Sequence, residues 1–584
     1  MSDPAWWLEE PGARRAVEEG ALNAAGLPWR LVEPAQIGDL YGVDVDVPGL
    51  DGTPVTVRAV YPQLFPYFPP IVSGSQLGLT HHWTPRTGLL CLHEPSGRGW
   101  HPDDTLAFLL TEQWSRVLRT NSGELVDDDG NLLETPQAEP WTAYLPIDPA
   151  WLAFTDSSLT SPPGAPSGPA LFHLDLIRGP QQRLHLTAVA VAGGTVPEMS
   201  PPQVFDQKHQ SVVTGVWVKV KDVNQTMDAE GLLNAARKMA PGLDAEGWAR
   251  VPSGGPWSGH GRQQIQLLAL DVHVETGHRS DGRGWIVLAR TRAGVGKPAG
   301  KAKIVKVEYA GHSDHFTRAP ELRPLQDRSL VVVGGGGLGS EVHAMLAELG
   351  LKKLVVVDGD VVEAATAIRM RGAHRFAGLP KSVALAHLAL ETQPHTQVGH
   401  IHVNLGLVDS AGAEQLMSAI AEADMVVDCT ANPNVQNLLA STLRAAGKPF
   451  VFAEAMPGVF SGRIAVIPPQ ADGCWECVEH LLSDLPQQPA SSGPDVVHPG
   501  CLEPTYPGTG YDLSALAAQS VASVVEELLI PASQSRVEMV SFRGPDGSRI
   551  LPSWSSHSVP QHARCTGHAR KSRQAVTSLS GTAP

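Results

Sequence analysis

Apolar segments of strand length alternate with segments of helical period from about residue 316 onward. The strand-like segments read SLVVVGGGG, KKLVVVDGD, DMVVDCTAN and PFVFAEAM. Strands that alternate with helices are typical of a parallel sheet covered by helices on both faces. The pattern therefore predicts a doubly wound α/β domain at about 316–560.

The middle of the chain follows a different pattern. Its apolar segments read LHLTAVAVAG, VVTGVWVKV, QIQLLALDVHV and GWIVLARTRA, and one helix is expected near 229–239. We predict a β-rich or α+β linker domain at 156–315, entered through a Ser/Pro/Gly-rich stretch at 155–170 that is typical of a linker. Residues 1–155 mix helical signals with a proline-rich centre, and a basic, flexible tail is expected at 561–584.

Composition restricts the class of protein. A chain of 584 residues suggests about three or four domains. It has no apolar run near the roughly 18 residues of a membrane span, and its start, MSDPAWWLEE, is unlike a signal peptide. Six unevenly placed cysteines argue against a disulfide framework and favour a reducing cytoplasm. The net charge of −16 argues against a general nucleic-acid binder.

A glycine-rich turn follows the first strand of the α/β region. Gly334, Gly336 and Gly339 form the pattern G-x-G-x-x-G before a predicted helix, which lets backbone N–H groups approach a phosphate. Asp358 ends the next strand nineteen residues later, where it is placed to bind a ribose hydroxyl. This motif alone suits a dehydrogenase about as well as an enzyme that uses ATP.

Two basic residues downstream help to distinguish a dehydrogenase from an enzyme that uses ATP. Arg369 lies eleven residues after Asp358, and the turn GLPKS then delivers Lys381. Two cations beyond the ribose site exceed the need of a dinucleotide and suit a triphosphate whose pyrophosphate leaves as charge develops. The alternative, that both are solvated surface charges, stays open.

These motifs, in this order and together with VVDCTAN, resemble the ThiF/MoeB superfamily, the adenylating core of ubiquitin-activating enzymes. The resemblance covers about 318–530 and implies a Rossmann-like fold, a dimer, and ATP-dependent adenylation of a protein's C-terminal carboxylate with Mg²⁺. It assigns the phosphates to the three glycines, Arg369 and Lys381, and the ribose to Asp358, and it suggests Arg318 as a further phosphate contact. The chain has Ala431 where the family commonly has a metal-associated aspartate, so Asp428 or Asp360 would have to contact the metal.

Cysteines cluster near the end of this region. The resemblance places Cys501, ahead of an apolar helix at 512–529, as the nucleophile that takes the activated carboxylate as a thioester. Cys474 and Cys477 form a CxxC pair, half of a zinc site. Cys565 and His568 would supply the other half at the family's second CxxC, and free buried thiols are the alternative. Cys429 is expected in the core.

Cys91 is the single cysteine before Cys429. Around it, FPYFPPIV, LLCL and WHPDDT resemble the ubiquitin-conjugating family over about 30–120, with Gly88 also at a family position. The resemblance implies an α+β domain in which Cys91 carries a thioester. Trp83 replaces the family's asparagine, which assists isopeptide formation, and His82, His93 and His101 are possible substitutes.

The order of modules resembles the bacterial fusion proteins of CBASS antiphage operons. That resemblance implies that a carboxylate is adenylated, captured on Cys501, passed to Cys91 and released to an amine on a target. A cGAS/DncV-like nucleotidyltransferase would be the carboxylate substrate. Two other classes stay open: an NAD-dependent oxidoreductase, and a non-catalytic scaffold with degenerate modules, which Ala431 and Trp83 motivate.

Overall fold

The computed structural model describes the chain apart from residues 1–13, 39, 80–81, 85–86, 93–99, 125, 127–144, 178–182, 192–210, 222, 224–226, 251–263, 278–279, 394, 407–408, 491–507 and 567–584. The described residues fall into two compact units, one drawn mainly from residues up to 308 and the other mainly from residue 309 onward. None of the described helices is both long and apolar enough to cross a membrane.

The first unit begins with a four-stranded antiparallel sheet in the order β1-β2-β3-β4. Its elements are α1 (Arg14–Ala24), β1 (Trp29–Leu31), α2 (Pro34–Ile37), β2 (Tyr41–Pro48), β3 (Pro54–Tyr61), β4 (Ile71–Ser73), α3 (Leu106–Phe108), a π-helical turn (Leu109–Gln113) and α4 (Trp114–Asn121). Strand β2 is buried along most of its length: Val43 and Val45 are fully buried on one face, and Asp44, on the other face, is also buried and pairs with Arg58 of β3 at 2.8 Å.

The rest of the first unit is a mixed eight-stranded sheet in the order β11-β12-β5-β7-β6-β8-β10-β9. Its elements are β5 (Ile147–Thr155), β6 (Ser167–Ile177), β7 (Arg183–Val191), β8 (Ser211–Lys219), α5 (Ala229–Met239), β9 (Trp248–Arg250), β10 (Gln264–Gly277), β11 (Ser280–Arg292) and β12 (Lys303–Tyr309). Because β11 also pairs with β10, seven of these strands close into a ring.

The predicted helix near 229–239 is confirmed as α5. Asp228 caps it by accepting a hydrogen bond from the Gly231 N–H at 2.8 Å, and Leu232, Leu233 and Ala236 form its buried face. The predicted linker at 155–170 instead connects β5 and β6 of one sheet. It packs there because Leu159 is buried and its carbonyl accepts from the Trp285 indole at 2.9 Å.

The second unit is built on an eight-stranded sheet in the order β15-β14-β13-β16-β17-β18-β19-β20. Its strands and helices are β13 (Ser329–Val333), α6 (Gly337–Glu348), β14 (Lys353–Val357), α7 (Lys381–Thr392), β15 (Gln397–Ile401), α8 (Ser410–Glu422), β16 (Met425–Asp428), α9 (Pro433–Ala446), β17 (Phe450–Ala455), β18 (Ser461–Ile467), α10 (Trp475–Asp484), α11 (Gly510–Leu529), β19 (Ser535–Arg543) and β20 (Arg549–Val559).

The first five strands of this sheet, β13 to β17, are parallel, which confirms the predicted doubly wound region. Helices cover both faces: Leu330 and Val332 of β13 pack towards α6 and α11, whereas Val331 and Val333 pack towards α8 and α9. The last three strands are antiparallel. Strand β18 is antiparallel to β17 because the turn around Pro457 that connects them is far too short for a parallel crossover.

Candidate active site

The glycine-rich turn lies where β13 ends and α6 begins. Gly334 has φ +88°, and a Cβ there would lie 2.9 Å from the backbone of Thr430, so only glycine fits. A Cβ on Gly339 would lie 1.8 Å from the Gly334 carbonyl oxygen, so this glycine lets the helix pack against the turn. By contrast, a Cβ on Gly336 would have no atom within 4 Å. Gly336 is the N-cap of α6 and offers no side-chain cap, so space in front of the helix N-terminus is open to an anion.

Asp358 lies beside this turn at the end of β14. Its carboxylate accepts hydrogen bonds from the backbone N–H of Gly335 at 2.6 Å and of Asp360 at 2.8 Å. Burial raises the pKa of Asp358, and the charge of Lys381 and the two amides oppose that rise. Two backbone donors therefore fix the carboxylate next to the turn, the position of the acidic residue that binds ribose in this type of site.

The two predicted cations also approach the turn. Lys381 is the first residue of α7, and 16% of its side chain is exposed. Its ammonium group lies 2.8 Å from the Asp360 carboxylate. Arg369 follows a 3₁₀ turn, and a Cβ on Gly337 would lie 3.4 Å from its carbonyl oxygen and 3.6 Å from its Cδ. Arg318 is different: it ends the 3₁₀ segment His312–Arg318 as an exposed residue, and no hydrogen bond or ion pair described for the chain joins it to the turn.

Asp428 ends β16 directly opposite Val333, the last residue before the turn. Its side chain is fully buried. One carboxylate oxygen accepts from the Thr430 N–H at 3.1 Å, and the other has no partner among the described residues. Burial is the main cause that raises the pKa of Asp428 to about 7. An unpartnered buried carboxylate oxygen next to the glycine-rich turn fits a Mg²⁺ ligand, because Mg²⁺ prefers oxygen ligands and would compensate the burial.

Ala431 follows in the loop between β16 and α9 and has a left-handed backbone, with φ +54°. A non-glycine residue in this conformation costs about 1–2 kcal/mol. The loop is held in place by its neighbours, since Thr430 Oγ1 accepts from the Asn432 N–H at 3.2 Å and Asn432 caps α9 through Asn434. With a methyl side chain, Ala431 offers no metal ligand, as the sequence indicated.

Three thiols come together at the start of α10. The sulfur of Cys474 lies 3.8 Å from that of Cys477 and 3.5 Å from that of Cys565, and all three lie within 4.8 Å of one another. Thiolates bound tetrahedrally to zinc at about 2.3 Å are spaced by about 3.8 Å, so the cluster fits three ligands of a zinc ion. The predicted fourth ligand, His568, lies outside the described residues, as does the rest of the tail from 567 onward.

Residues 561–566, which begin the predicted tail, contact α10. His562 and Arg564 both pair with Asp484, and Cys565 is buried. This segment brings Cys565 to the CxxC pair although it lies 91 residues after Cys474 in the sequence. Cys429, by contrast, is partly buried and packs against the core where the sequence predicted it, and desolvation raises its pKa well above the usual range. Cys501 lies outside the described residues.

In the first unit, Cys91 is exposed between two buried neighbours, Leu90 and Leu92. Its backbone N–H donates to the His82 carbonyl at 2.9 Å, and Trp83 forms a β-bridge with Leu90. The leucines anchor the segment to the core because alternate residues point to opposite sides. Cys91 is consequently an exposed residue on a backbone that its neighbours hold in place.

The residues around Cys91 have structural partners. The Trp83 indole donates to the Gly74 carbonyl at 2.9 Å, and a Cβ on Gly88 would lie 2.7 Å from the same oxygen. Among the suggested substitutes for the missing asparagine, His82 has φ +59° and His101 is exposed, 3.4 Å from Asp103. His93 lies outside the described residues.

Residues 312–546 match the model of the ThiF family. The C-terminal region is a ThiF family domain. Over nearly its full length the chain is also similar to an uncharacterized protein, y4oA, of Sinorhizobium fredii (strain NBRC 101917 / NGR234), with 27% identity over 588 residues, 96% of this chain and 97% of that protein. The molybdopterin-synthase adenylyltransferase of Escherichia coli (strain K12) is 31% identical over 163 residues, 27% of this chain and 62% of that enzyme.

Further relatives and solved structures match a smaller share of the chain. The adenylyltransferase and sulfurtransferase MOCS3 of Xenopus laevis is 28% identical over 228 residues, 38% of this chain and 47% of that protein. Among solved structures, the match to E. coli MccB with ATP covers 44% of this chain and 71% of that chain, with 17% identity and a TM-score of 0.32.

The ThiF family domain also contains a polar group that sequence reasoning missed. Glu454 on β17 is buried, pairs with Arg463 of β18 and accepts from Gln436 of α9 at 3.1 Å. Its charge contributes to the raised pKa of Asp428. The signal was present as a lone acid in the apolar segment PFVFAEAM, since a charged residue inside a buried strand requires a partner.

Proposed function

We propose that this chain activates the C-terminal carboxylate of a protein by ATP-dependent adenylation, carries it as a thioester and ligates it to an amine. The observation that carries the proposal is the convergence of the open glycine-rich turn, Asp358 and the buried Asp428 at the carboxyl ends of β13, β14 and β16 in a ThiF family domain. This edge of the sheet, where the strand order reverses, is where doubly wound domains bind nucleotides.

In this proposal each residue of the turn has a role towards ATP. The N–H groups of Gly336 and Gly339, at the N-terminus of α6, would bind phosphate oxygens, and Asp358 would accept from the ribose. The predicted phosphate contact of Gly334 is limited to shaping the turn, because the Gly334 N–H already donates to the Val357 carbonyl at 2.8 Å. Arg369 and Lys381 stabilise the charge that develops on the leaving pyrophosphate. Lys381 would exchange its contact with Asp360 for phosphate.

Mg²⁺ would be held by Asp428, with Asp360 as a second oxygen donor. When bound it would neutralise phosphate charge. Zn²⁺ would be held away from the chemistry by Cys474, Cys477 and Cys565, with His568 as the fourth ligand, and would tie the segment after β20 to α10.

The proposed reaction has four steps. The substrate carboxylate attacks the α-phosphorus of ATP, which gives the acyl-adenylate and releases pyrophosphate. The Cys501 thiolate attacks the acyl carbon and releases AMP, and the acyl group passes to the Cys91 thiolate with return of the first thiolate. An amine on the target finally displaces Cys91. The exposed thiol on an anchored backbone supports Cys91 as the second carrier.

The proposal also covers the domain boundaries, the substrate and the oligomeric state. The proposed domains are 1–155, ubiquitin-conjugating-like; 156–315, a linker domain; and 316–560, the adenylation domain. The tail predicted at 561–584 is not kept for residues 561–566, which contact α10. A cGAS/DncV-like nucleotidyltransferase in an antiphage operon is the proposed substrate, and a homodimer the proposed assembly.

Adenylation is tested by exchange of labelled pyrophosphate into ATP, with the nucleotidyltransferase as carboxylate substrate. Exchange is expected with the intact C-terminus and not with a C-terminally amidated form. A second measurement, ATP binding by calorimetry, should show a loss of about 1.5–3 kcal/mol for Asp358→Ala, because a ribose hydroxyl loses a charged acceptor. ATP binding without exchange would favour the scaffold alternative, and unchanged affinity would remove Asp358 from the site.

The order of the two thiols is tested on gels with and without reductant. Cys501→Ala should form adenylate but no thioester, whereas Cys91→Ala should accumulate a reductant-sensitive thioester on Cys501 and make no conjugate. Cys91→Lys should trap a reductant-stable isopeptide. Cys429→Ser is the cysteine control, because Cys429 lies at neither predicted nucleophile position. Its adenylate formation is measured first, since the residue packs beside the glycine-rich turn. Conjugation that survives Cys91→Ala would refute the relay.

A further inference from the structure

We propose that the first unit contains a binding site for a phosphate-bearing small molecule, in a cationic pocket between α5, β9 and the loop that joins β11 to β12. The site is separate from the proposed adenylation chemistry, since every residue that lines it comes from 230–301. Its volume is about 390 Å³. Its cationic lining residues are Arg237, Arg290, Arg292, Lys297 and Lys301.

The charge of this pocket is opposite to that of the whole chain. Five of its lining residues are cationic and two are acidic, which leaves three positive charges in a protein whose net charge is −16. A cleft lined by one sign of charge raises the local concentration of ligands of the opposite sign. The pocket is therefore unlike a chance surface patch of this acidic chain.

The back of the pocket is a rigid polar network. The amide of Gln266, which is fully buried, donates to two backbone carbonyls of the segment before β9 and accepts from the Arg290 guanidinium at 2.5 Å. Arg290 donates in turn to Asp244 at 2.6 Å, and Asp244 also accepts from Arg237. These contacts lower the pKa of Asp244 and fix Arg290, only 4% of whose side chain is exposed, in one orientation.

The front of the pocket has cations without acidic partners. Arg292 lies 4.0 Å from the centre of the Trp248 ring and donates through Nε to Gln264, a neutral residue. Within the described part of the chain, neither Arg292 nor Lys297 nor Lys301 has a carboxylate within ion-pair distance. Their donors are consequently available to a ligand.

The loop that carries the two lysines is glycine-rich and held at its base. It reads GVGKPAGK at 294–301, the Gly300 N–H donates to the Thr291 carbonyl at 2.8 Å, and Ala299 bridges to Arg292. A glycine-rich loop with lysines lets both backbone N–H groups and ammonium groups approach phosphate oxygens. A single carboxylate would leave two positive charges uncompensated, whereas a diphosphate group matches the three. We therefore assign the ligand class as a di- or polyphosphate.

The first test reads the site directly and separately from the ThiF family domain. The lysines of the full-length protein are acetylated chemically, without inorganic pyrophosphate and with pyrophosphate at ratios from equimolar to a large excess. The acetylation rate of each lysine is measured by mass spectrometry. Pyrophosphate is expected to slow acetylation of Lys297 and Lys301 several-fold, because bound phosphate covers both ammonium groups. Lys238 and Lys306, exposed lysines of the same unit that do not line the pocket, are the internal controls and should react at unchanged rates.

The second test uses calorimetry of pyrophosphate binding. Lys297→Gln with Lys301→Gln should weaken binding at this site by about tenfold or more, since two charge-assisted contacts are lost. Lys238→Gln with Lys306→Gln removes the same charge elsewhere and should leave it intact. Both pairs are exposed, so folding is retained. Equal acetylation rates with and without pyrophosphate, or the same loss in both double variants, would overturn the proposal. Equally strong protection by inorganic phosphate would overturn the assignment to a diphosphate.

Discussion

His343 makes a sharp prediction about how acid affects the ThiF family domain. It lies in the middle of α6, the helix that begins at the glycine-rich turn, and it is completely buried. Neither ring nitrogen has a hydrogen-bond partner among the described residues. Burial lowers the pKa of His343 from 6.5 to about 4, so the imidazole is neutral in the folded protein at neutral pH.

The free energy of unfolding follows from this shift. Between pH 6.5 and 4 the unfolded chain binds a proton at His343 and the folded chain does not, so stability falls as pH falls. The full loss is about 3.4 kcal/mol, and about 2 kcal/mol of it is expected between pH 7.5 and pH 5. His343→Leu should remove this dependence. It should also raise stability at pH 7.5, because an apolar side chain leaves no buried ring nitrogen without a partner.

The assay is urea unfolding followed by a short pulse of hydrogen exchange. Mass spectrometry of the peptide that covers α6 then gives the unfolded fraction of this unit alone at each urea concentration. The wild-type protein and His343→Leu are compared at pH 7.5 and pH 5, and His374→Leu, at an exposed position of the same unit, is the control. The wild type should lose about 2 kcal/mol more than His343→Leu, and the control should behave as the wild type. Equal losses in all three would refute the reasoning that this imidazole is held neutral by burial.

Further variants test the geometry of the turn and the metal ligands. Gly339→Ala should lower the melting temperature by several degrees, because its Cβ would overlap the Gly334 carbonyl, whereas Gly336→Ala should leave it unchanged and weaken ATP binding in calorimetry. Ala431→Gly should raise the free energy of unfolding by about 1 kcal/mol in denaturant titration, since it relieves a left-handed alanine; no gain would contradict that conformation. Zinc analysis should find about one equivalent per chain, and Cys474→Ser should lose both metal and stability; a metal-free wild type would reduce the cluster to buried thiols.

Much of the second unit could be predicted because its signals are local. Each parallel strand is a short buried run followed by a helix, and the glycine turn and Asp358 lie within one such repeat, so their proximity follows from connectivity. The antiparallel end of the sheet could not be predicted in this way. Strands β19 and β20 are separated from β18 by a long stretch of sequence, and their pairing depends on tertiary contacts.

Other features depend on contacts between distant positions. Cys565 reaches the CxxC pair because β20 returns the chain to α10, which places an ordered segment where the sequence indicated a tail. The cationic pocket requires Arg290 from β11, Gln266 from β10 and Asp244 from the loop between α5 and β9 to meet. Each of these residues alone is unremarkable in sequence, so no periodic pattern indicates the site.

The buried pair between Glu454 and Arg463 also determines how β17 and β18 align. The two residues lie directly opposite each other in strands that otherwise consist of small and apolar residues. Such strands can slide by two residues and still keep their apolar faces inward. A slide would place Glu454 opposite Ser461 or Ala465 and leave a buried carboxylate without its cation, at a cost of about 3–5 kcal/mol. The pair therefore disfavours folds in which β17 and β18 are out of register. Because β17 also pairs with β16, the same pair helps to fix the register of Asp428 in the sheet.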